Sequence, residues 1–251
     1  VEKDGQFTLD FDQLEADIVE HQVKLYIFCS PHNPGGRVWT KEEVEKVGLL
    51  CQKHGVILIS DEIHQDMALF GHKHFSFNTV SPDFKDFTII LGSATKTFNI
   101  AGTKNSFAII ENPSLRKAFT KQQLANNQHE IPTVGLIATE VVLRHGKAWL
   151  DQLKEVLEEN INYTVDFLTE HSHIKVMKPQ GTYLVWLDFS AYGLSNEQIQ
   201  EKLIKEAKVV LNDGLSFGKE GKCHARFNTA TPLETVKEAC QRIVAVFGKE
   251  S

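Results

Sequence analysis

The chain has 251 residues, a length that can bury a sizeable core as one large domain or two small ones. Hydrophobic residues make up 41% of it and charged residues 24%, as in ordinary soluble globular proteins. The net charge of -6 gives no basic footprint for nucleic acid, and no apolar run reaches membrane-spanning length. We therefore expect neither a nucleic-acid nor a membrane partner. The four widely spaced cysteines predict reduced thiols and a cytoplasmic protein.

The first part of the chain alternates strands with helices. The residue pattern predicts a helix at 11–20, strands at 24–29 and 56–60, and a helix between them whose Thr40 and Glu43 form a capping box. Because a strand, a helix and a second strand follow one another, a parallel sheet is expected. Further strands are predicted at 87–91 and 106–110. Pro113 and Pro132 stand where the first turns of two more helices would begin, and Gly146 would end the second helix.

The character of the sequence changes near residue 148. A long helix to about Glu170, whose lysines and glutamates predict a solvated face, leads into strands predicted at 174–177, 182–188, 209–211 and 225–228. A helix capped by Ser195 and Gln198 is predicted among them, and the last helix is predicted to open with a capping box at 231–234. Antiparallel-style spacing indicates a small α+β domain at 148–251, joined by the long helix to an α/β domain at 1–147.

Three predicted strand ends carry side chains suited to chemistry. Lys96 follows an apolar strand through a turn of small residues, and a desolvated lysine amine loses its proton easily and can attack a carbonyl. Asp61 ends an earlier apolar strand, and open α/β sheets bind ligands at the carboxyl ends of such strands. Asn33 opens a tight Asn-Pro-Gly-Gly bend after the first strand. A surface lysine and a turn-capping aspartate are the plain alternatives for Lys96 and Asp61.

In this order, the three segments resemble the active site of fold-type I pyridoxal-phosphate enzymes, the aminotransferase class I/II family. The similarity extends over essentially the whole chain, including a Ser-x-x-Lys motif at 93–96, a strand that begins Pro-Gln-Gly at 179–181, and an Arg-Phe-Asn segment at 226–228. The residues after Asp61 read Glu-Ile-His, and transaminases of the family more often carry a tyrosine at the histidine position. The chain is therefore most similar to the cystathionine β-lyase (C–S lyase) branch.

The resemblance implies how the cofactor, pyridoxal phosphate, would be held. Lys96 would bind it covalently through a Schiff base and act as the catalytic base. Asp61 would keep the ring nitrogen protonated, which the cofactor needs in order to withdraw electrons. Asn33 and His64 would donate hydrogen bonds to its phenolic oxygen.

The resemblance also implies phosphate and substrate contacts. Ser93 would bind the cofactor phosphate, although a plain turn serine explains it equally well. Lys104 stands where many members have an arginine for the same phosphate, and a lysine lacks the bidentate geometry. Arg226 would bind the α-carboxylate of an amino-acid substrate, with a structural ion pair as the alternative. Tyr183 borders the substrate pocket or is a core aromatic.

The implied activity is that of a homodimeric lyase. β-Elimination from cystathionine or a related S-substituted cysteine would give pyruvate, ammonia and a thiol. An aminotransferase would use the same residues, and an aminotransferase-like regulatory domain is the alternative from another class. The histidine pairs at 72 and 74 and at 171 and 173 lack further ligands at a recognisable spacing, so no metal is expected.

The first residues read as a connection inside a longer protein, because residue 1 is valine and the opening segment has no start signal of its own. By resemblance, a large N-terminal portion is expected to be absent. In the family, that portion contains the glycine-containing loop that holds the phosphate and an aromatic residue that stacks on the cofactor ring. The expected fold is an incomplete PLP-transferase large domain, mostly a parallel sheet with helices, followed by the α+β small domain. Alone, this chain is predicted to bind the cofactor weakly, to be inactive and to self-associate.

Overall fold

The computed structural model describes residues 1–3 and 5–249. Its strands are β1 (Glu2–Lys3), β2 (Gln6–Phe7), β3 (Leu25–Cys29), β4 (Ile57–Asp61), β5 (Thr88–Gly92), β6 (Phe107–Ile109), β7 (Lys175–Met177), β8 (Leu184–Asp188), β9 (Asn212–Asp213) and β10 (His224–Asn228). Its α-helices are α1 (Phe11–Glu20), α2 (Lys41–His54), α3 (Phe77–Val80), α4 (Ala94–Thr97), α5 (Pro113–Ala125), α6 (Thr133–His145), α7 (Lys147–His171), α8 (Asn196–Glu201) and α9 (Leu233–Phe247). None of the helices among the described residues is long and apolar enough to cross a membrane.

The chain divides into two compact units. Unit 1 comprises Val1, Thr8–Pro31 and Val38–Asp151, and unit 2 comprises Glu2–Phe7, His32–Arg37 and the chain from Gln152 onward. The division falls inside α7, and unit 2 takes in two N-terminal segments. The domains expected at 1–147 and 148–251 stay a prediction.

Unit 1 is built on a four-stranded sheet in the order β3-β4-β5-β6. The first three strands are parallel, as predicted, and β6 pairs antiparallel with β5. The sequence signals that start α2 act as expected: Thr40 Oγ1 accepts from the Glu43 N–H at 3.2 Å, and Glu43 Oε2 accepts from the Thr40 N–H at 2.8 Å. Buried aromatic and aliphatic side chains form the core, with Phe28 and Phe77 in edge-to-face contact at 5.4 Å.

Unit 2 is built on a four-stranded sheet in the order β7-β8-β10-β9, in which every neighbouring pair is antiparallel. One face of the central strands is fully apolar and buried, through Val185 and Leu187 of β8 and Ala225 and Phe227 of β10. Phe247 of α9 meets Phe189 ring to ring at 5.0 Å. The opposite face of β10 carries Arg226, because side chains alternate along a strand.

Two local predictions are wrong in detail. No strand forms at 209–211. Lys208 has a left-handed φ of 57° after a π-helix, and Val210 is 80% exposed. Asn212 and Asp213 form the ladder with β10 instead. The box expected at 231–234 does not form, because Pro232 occupies the N-cap of α9 and has no hydroxyl to offer. Pro132 stands at the start of α6 as predicted, as its N-cap residue.

Candidate active site

Asp61 and Lys96 are delivered to the same edge of the unit 1 sheet. Asp61 is the last residue of β4, and it lies opposite Leu91 of the parallel neighbour β5. Lys96 follows β5 on the short helix α4 and is half-buried. The carboxyl ends of both strands therefore present an acid and an amine at the edge where parallel sheets bind ligands.

Asp61 combines a turn contact with access to a cavity. Its Oδ1 accepts from the Ile63 N–H at 3.3 Å, which is the contact that the turn-capping interpretation predicts. The same residue also lines a cavity of about 500 Å³ in unit 1, with Leu91, Phe107 and Arg116 among the other lining residues. A capping bond to one oxygen leaves the carboxylate able to accept further donors.

The residues beside Asp61 form a buried polar cluster that the sequence did not reveal. Glu62 is only 1% exposed; its Oε1 accepts from Ser60 Oγ at 2.9 Å, and its Oε2 lies 3.0 Å from His74 Nε2. His74, which the sequence analysis rejected as a metal ligand, thus forms a hydrogen bond with a buried carboxylate. His64, the predicted phenolic-oxygen donor, is buried three residues beyond Asp61.

The two predicted phosphate ligands differ in their surroundings. Ser93 is buried and acts as the N-cap of α4, and its Oγ accepts from the Thr95 N–H at 3.1 Å and donates to the Asn105 carbonyl oxygen at 2.6 Å. Because a hydroxyl has a single proton, Ser93 would have to give up the Asn105 bond to donate to a phosphate. Lys104 is exposed, in a left-handed conformation at φ 49°.

Arg226 and Asn33 meet within unit 2, although they are 193 residues apart in the chain. Arg226 Nη1 donates to Asn33 Oδ1 at 2.8 Å. Since arginine only donates, the Asn33 atom facing it is the carbonyl oxygen, which leaves the Asn33 NH₂ group as a donor for something else. Among the described residues no carboxylate pairs with Arg226, so the ion-pair alternative has no partner there.

The Asn33 bend is fixed by the loop before β8. The Gly36 carbonyl oxygen accepts from the Gln180 and Gly181 N–H groups at 2.8 and 3.0 Å. Gly36 has a φ of 67°, and a Cβ there would lie 2.3 Å from Pro179 Cβ, so only glycine fits. Two motifs that the sequence analysis listed separately, at 33–36 and 179–181, therefore form one structure that holds Asn33.

Arg37 adds a second tie to the same loop. Its Nη1 donates to Gln180 Oε1 at 2.6 Å, and its Nε donates to the Phe7 carbonyl oxygen at 2.7 Å. Burial, together with the positive charge of Arg37, lowers the pKa of His32 in the same bend to about 4. His32 is therefore neutral at physiological pH.

Burial also affects the two substrate-binding candidates of unit 2. It lowers the pKa of Arg226, whose guanidinium nonetheless stays charged at neutral pH. It raises the pKa of Tyr183, and the nearby charge of Arg226 opposes that rise. Tyr183 is half-buried.

Sequence reasoning missed two neighbours of Arg226. Nη2 of Arg226 donates to Asn212 Oδ1 at 2.9 Å, and the guanidinium lies over the ring of Phe217 with Cζ 4.7 Å from its centroid. Both residues follow the segment wrongly predicted as a strand. A correct placement of β9 opposite Arg226 would have pointed to Asn212.

Comparison with known proteins decides the family. The family model for aminotransferase class I and II matches residues 1–243. The chain belongs to the aminotransferase class I and II family. The α/β fold class and the family resemblance expected from the sequence are confirmed.

Relatives within this family include lyases and a presumed transaminase. The chain is 41% identical to cystathionine β-lyase PatB of Bacillus subtilis over 98% of this chain and 64% of PatB. It superposes with a TM-score of 0.94 at 37% identity on cystalysin of Treponema denticola, a structure that contains pyridoxal 5'-phosphate, covering 98% of this chain and 63% of that one. A PLP-bound protein of Clostridium difficile described as an aminotransferase gives a TM-score of 0.93 at 40% identity, covering 97% of this chain and 62% of that one. The chain thus spans less than two thirds of the length of these family members.

Proposed function

We propose that the protein is a pyridoxal-phosphate-dependent C–S β-lyase. It would act on cystathionine or a related S-substituted cysteine and release pyruvate, ammonia and a thiol. The proposal rests on one observation: an acid, Asp61, and a lysine, Lys96, follow the carboxyl ends of adjacent parallel strands. The 41% identity to PatB favours the lyase outcome over transamination.

The donor set in the structure fits the cofactor chemically. When bound, pyridoxal phosphate supplies an electron sink that allows the Cα–H bond of an amino acid to break. Asp61 would hold the proton on its ring nitrogen. The half-buried Lys96 amine would hold the cofactor covalently through its aldehyde carbon until the substrate amine takes its place, and the freed Lys96 amine would then accept the Cα proton. Asn33, whose NH₂ group is left as a donor, and the buried His64 would donate to the phenolic oxygen.

The remaining assignments concern the two acidic groups that must be bound. Ser93 and Lys104 would bind the phosphate, Ser93 at the expense of its bond to the Asn105 carbonyl oxygen. Arg226 would bind the substrate α-carboxylate, which is supported by its lack of a carboxylate partner among the described residues. Tyr183 would border the substrate beside Arg226.

The proposal includes a homodimer in the cytoplasm. Large apolar side chains on α6 are exposed, Val134 by 71% and Ile137 by 58%, which supports association. The edge strand β3 also exposes Ile27 by 63%, so we expect the 251-residue chain alone to self-associate. We also expect that chain alone to show negligible turnover.

The test uses the holoenzyme, meaning the complete protein loaded with pyridoxal phosphate, and gives it cystathionine without any keto acid. The lyase should produce pyruvate over many turnovers, and a Lys96→Arg variant should not. A strict requirement for a keto acid, with stoichiometric amino-acid product, would make the protein an aminotransferase. Cofactor binding with neither reaction would favour the regulatory alternative.

A further inference from the structure

Arg226 is held on three sides by neutral groups. Asn33 Oδ1 accepts from Nη1, Asn212 Oδ1 accepts from Nη2, and the ring of Phe217 lies against the guanidinium face. An amide oxygen orients a guanidinium through its dipole without cancelling the charge, whereas a carboxylate would neutralise it. The charge of Arg226 therefore remains available to an anionic ligand.

The hydrogen-bonding capacity of Arg226 is also incompletely used. A guanidinium has five N–H donors, and the two amide oxygens take two of them. Nε is buried and has no hydrogen-bond partner among the described residues. A charged, partly buried guanidinium with unused N–H donors lowers the stability of the folded protein. The same unused donors and charge suit it to bind a carboxylate.

Asn212 and Phe217 reach Arg226 from one short segment. Asn212 lies in β9, directly opposite Arg226 in the ladder with β10, and Phe217 ends the 3-10 helix that follows β9. Gly214 and Gly221 close this segment, since a Cβ on Gly214 would lie 2.1 Å from the Gly221 carbonyl oxygen. The backbone thus fixes both contacts relative to the strand that carries Arg226.

We infer that Asn212 is a positioning residue for substrate carboxylate recognition: with Phe217 behind the guanidinium, it fixes the plane of Arg226 while leaving its charge uncompensated. Asn33 holds the other nitrogen but is proposed to serve the cofactor as well, so Asn212 is the contact devoted to Arg226 alone. The inference rests on the proposed function of Arg226. It names a residue type, a neutral amide, that the position requires.

The substitutions are chosen to reverse the order that a purely structural role would give. Asn212→Asp is nearly isosteric, so a structural role makes it milder than Asn212→Ala. If Asn212 must orient Arg226 without neutralising it, the aspartate should be the worse change, because it would occupy the guanidinium as a salt bridge. Asn228→Ala is the matched control, since Asn228 lies on the same strand and, among the described residues, its Oδ1 accepts only from the nearby Ala230 N–H.

The kinetic measurement uses the holoenzyme with cystathionine. We expect KM to rise about tenfold in Asn212→Ala, as for the loss of one hydrogen bond to a charged group, and by more in Asn212→Asp, with kcat changed much less. Asn228→Ala should leave KM within about twofold. Asn212→Asp with a lower KM than Asn212→Ala would overturn the inference.

The second measurement needs no activity. Arginine side-chain NMR of the holoenzyme can be assigned to Arg226, because its signals are the ones that an Arg226→Ala variant lacks. Restrained rotation should give separate Nη signals for Arg226, and Asn212→Ala should merge them. Separate signals that persist in Asn212→Ala would also overturn the inference.

A parallel Arg226→Ala variant separates the two ideas. If its KM is unchanged, Arg226 does not bind the substrate and the proposed function of that residue fails. If its KM rises about 100-fold or more while both Asn212 variants behave as wild type, only the positioning role fails.

Discussion

Asn160 offers a stability test of how the strand carrying Arg226 is supported. It lies fully buried in the middle of α7, and its Nδ2 donates to the carbonyl oxygens of Thr229 and Thr231 at 2.8 Å each. These two residues directly follow β10. One side chain thus ties the long helix to the chain segment that leaves the Arg226 strand.

The expected cost of Asn160→Ala can be worked from these contacts. The Thr229 oxygen keeps a bond from the Thr231 N–H at 2.9 Å, so its loss costs about 1 kcal/mol, and the Thr231 oxygen loses a buried donor, which costs roughly 1–3 kcal/mol. Two effects offset this: alanine is the better helix former by about 0.5 kcal/mol, and the change removes the buried Asn160 Oδ1, which has no partner among the described residues. Removing the unpaired buried oxygen offsets about 1 kcal/mol or more, so we expect a net loss of about 1 kcal/mol.

Hydrogen–deuterium exchange of β8 and β10 measures this loss in unit 2 itself. A loss of about 1 kcal/mol corresponds to exchange roughly five times faster where amides exchange by opening of the whole unit. Asn162→Ala is the control, because it changes the same residue type on the same helix and removes only an exposed bond from Lys178 Nζ. Equal exchange in the two variants would show that the Asn160 bonds contribute nothing net to stability.

Two further predictions concern the site and the bend beside it. Borohydride reduction of the holoenzyme followed by peptide mapping should place the cofactor on Lys96, whose amine is half-buried at the end of β5, and an adduct on another lysine would refute the assignment. Because the pKa of His32 is about 4 when folded and its usual value is 6.5, the unfolded chain takes up a proton that the folded chain refuses as the pH falls through this window. Stability should therefore drop by up to about 3 kcal/mol between pH 6.5 and 4, and urea unfolding of His32→Gln should lack this part of the pH dependence. An unchanged pH profile in that variant would contradict the burial argument.

Sequence alone determined the features that depend on residues a few positions apart. Thr40 and Glu43 mark the start of α2 because a capping box involves only four consecutive residues, and α1 begins and ends where its apolar spacing predicts. Asp61 and Lys96 could be placed at strand ends because apolar runs that stop at a polar residue predict buried parallel strands. The order of these segments was enough to identify the family.

Tertiary structure decided which distant segments meet. Asn33 and Arg226 carry no local signal of their contact, since they are brought together only when the 33–36 bend packs on the 179–181 loop. The pattern of α7 predicts a solvated charged face but does not reveal that Asn160, on the opposite side, is buried, because its partners lie about 70 residues further on. Asn212 was hidden for the same reason: the two valines at 209 and 210 have high strand propensity, yet only the ladder with β10 decides which residues pair. Hydrogen bonds between remote segments depend on the packed fold, and local propensity carries no information about them.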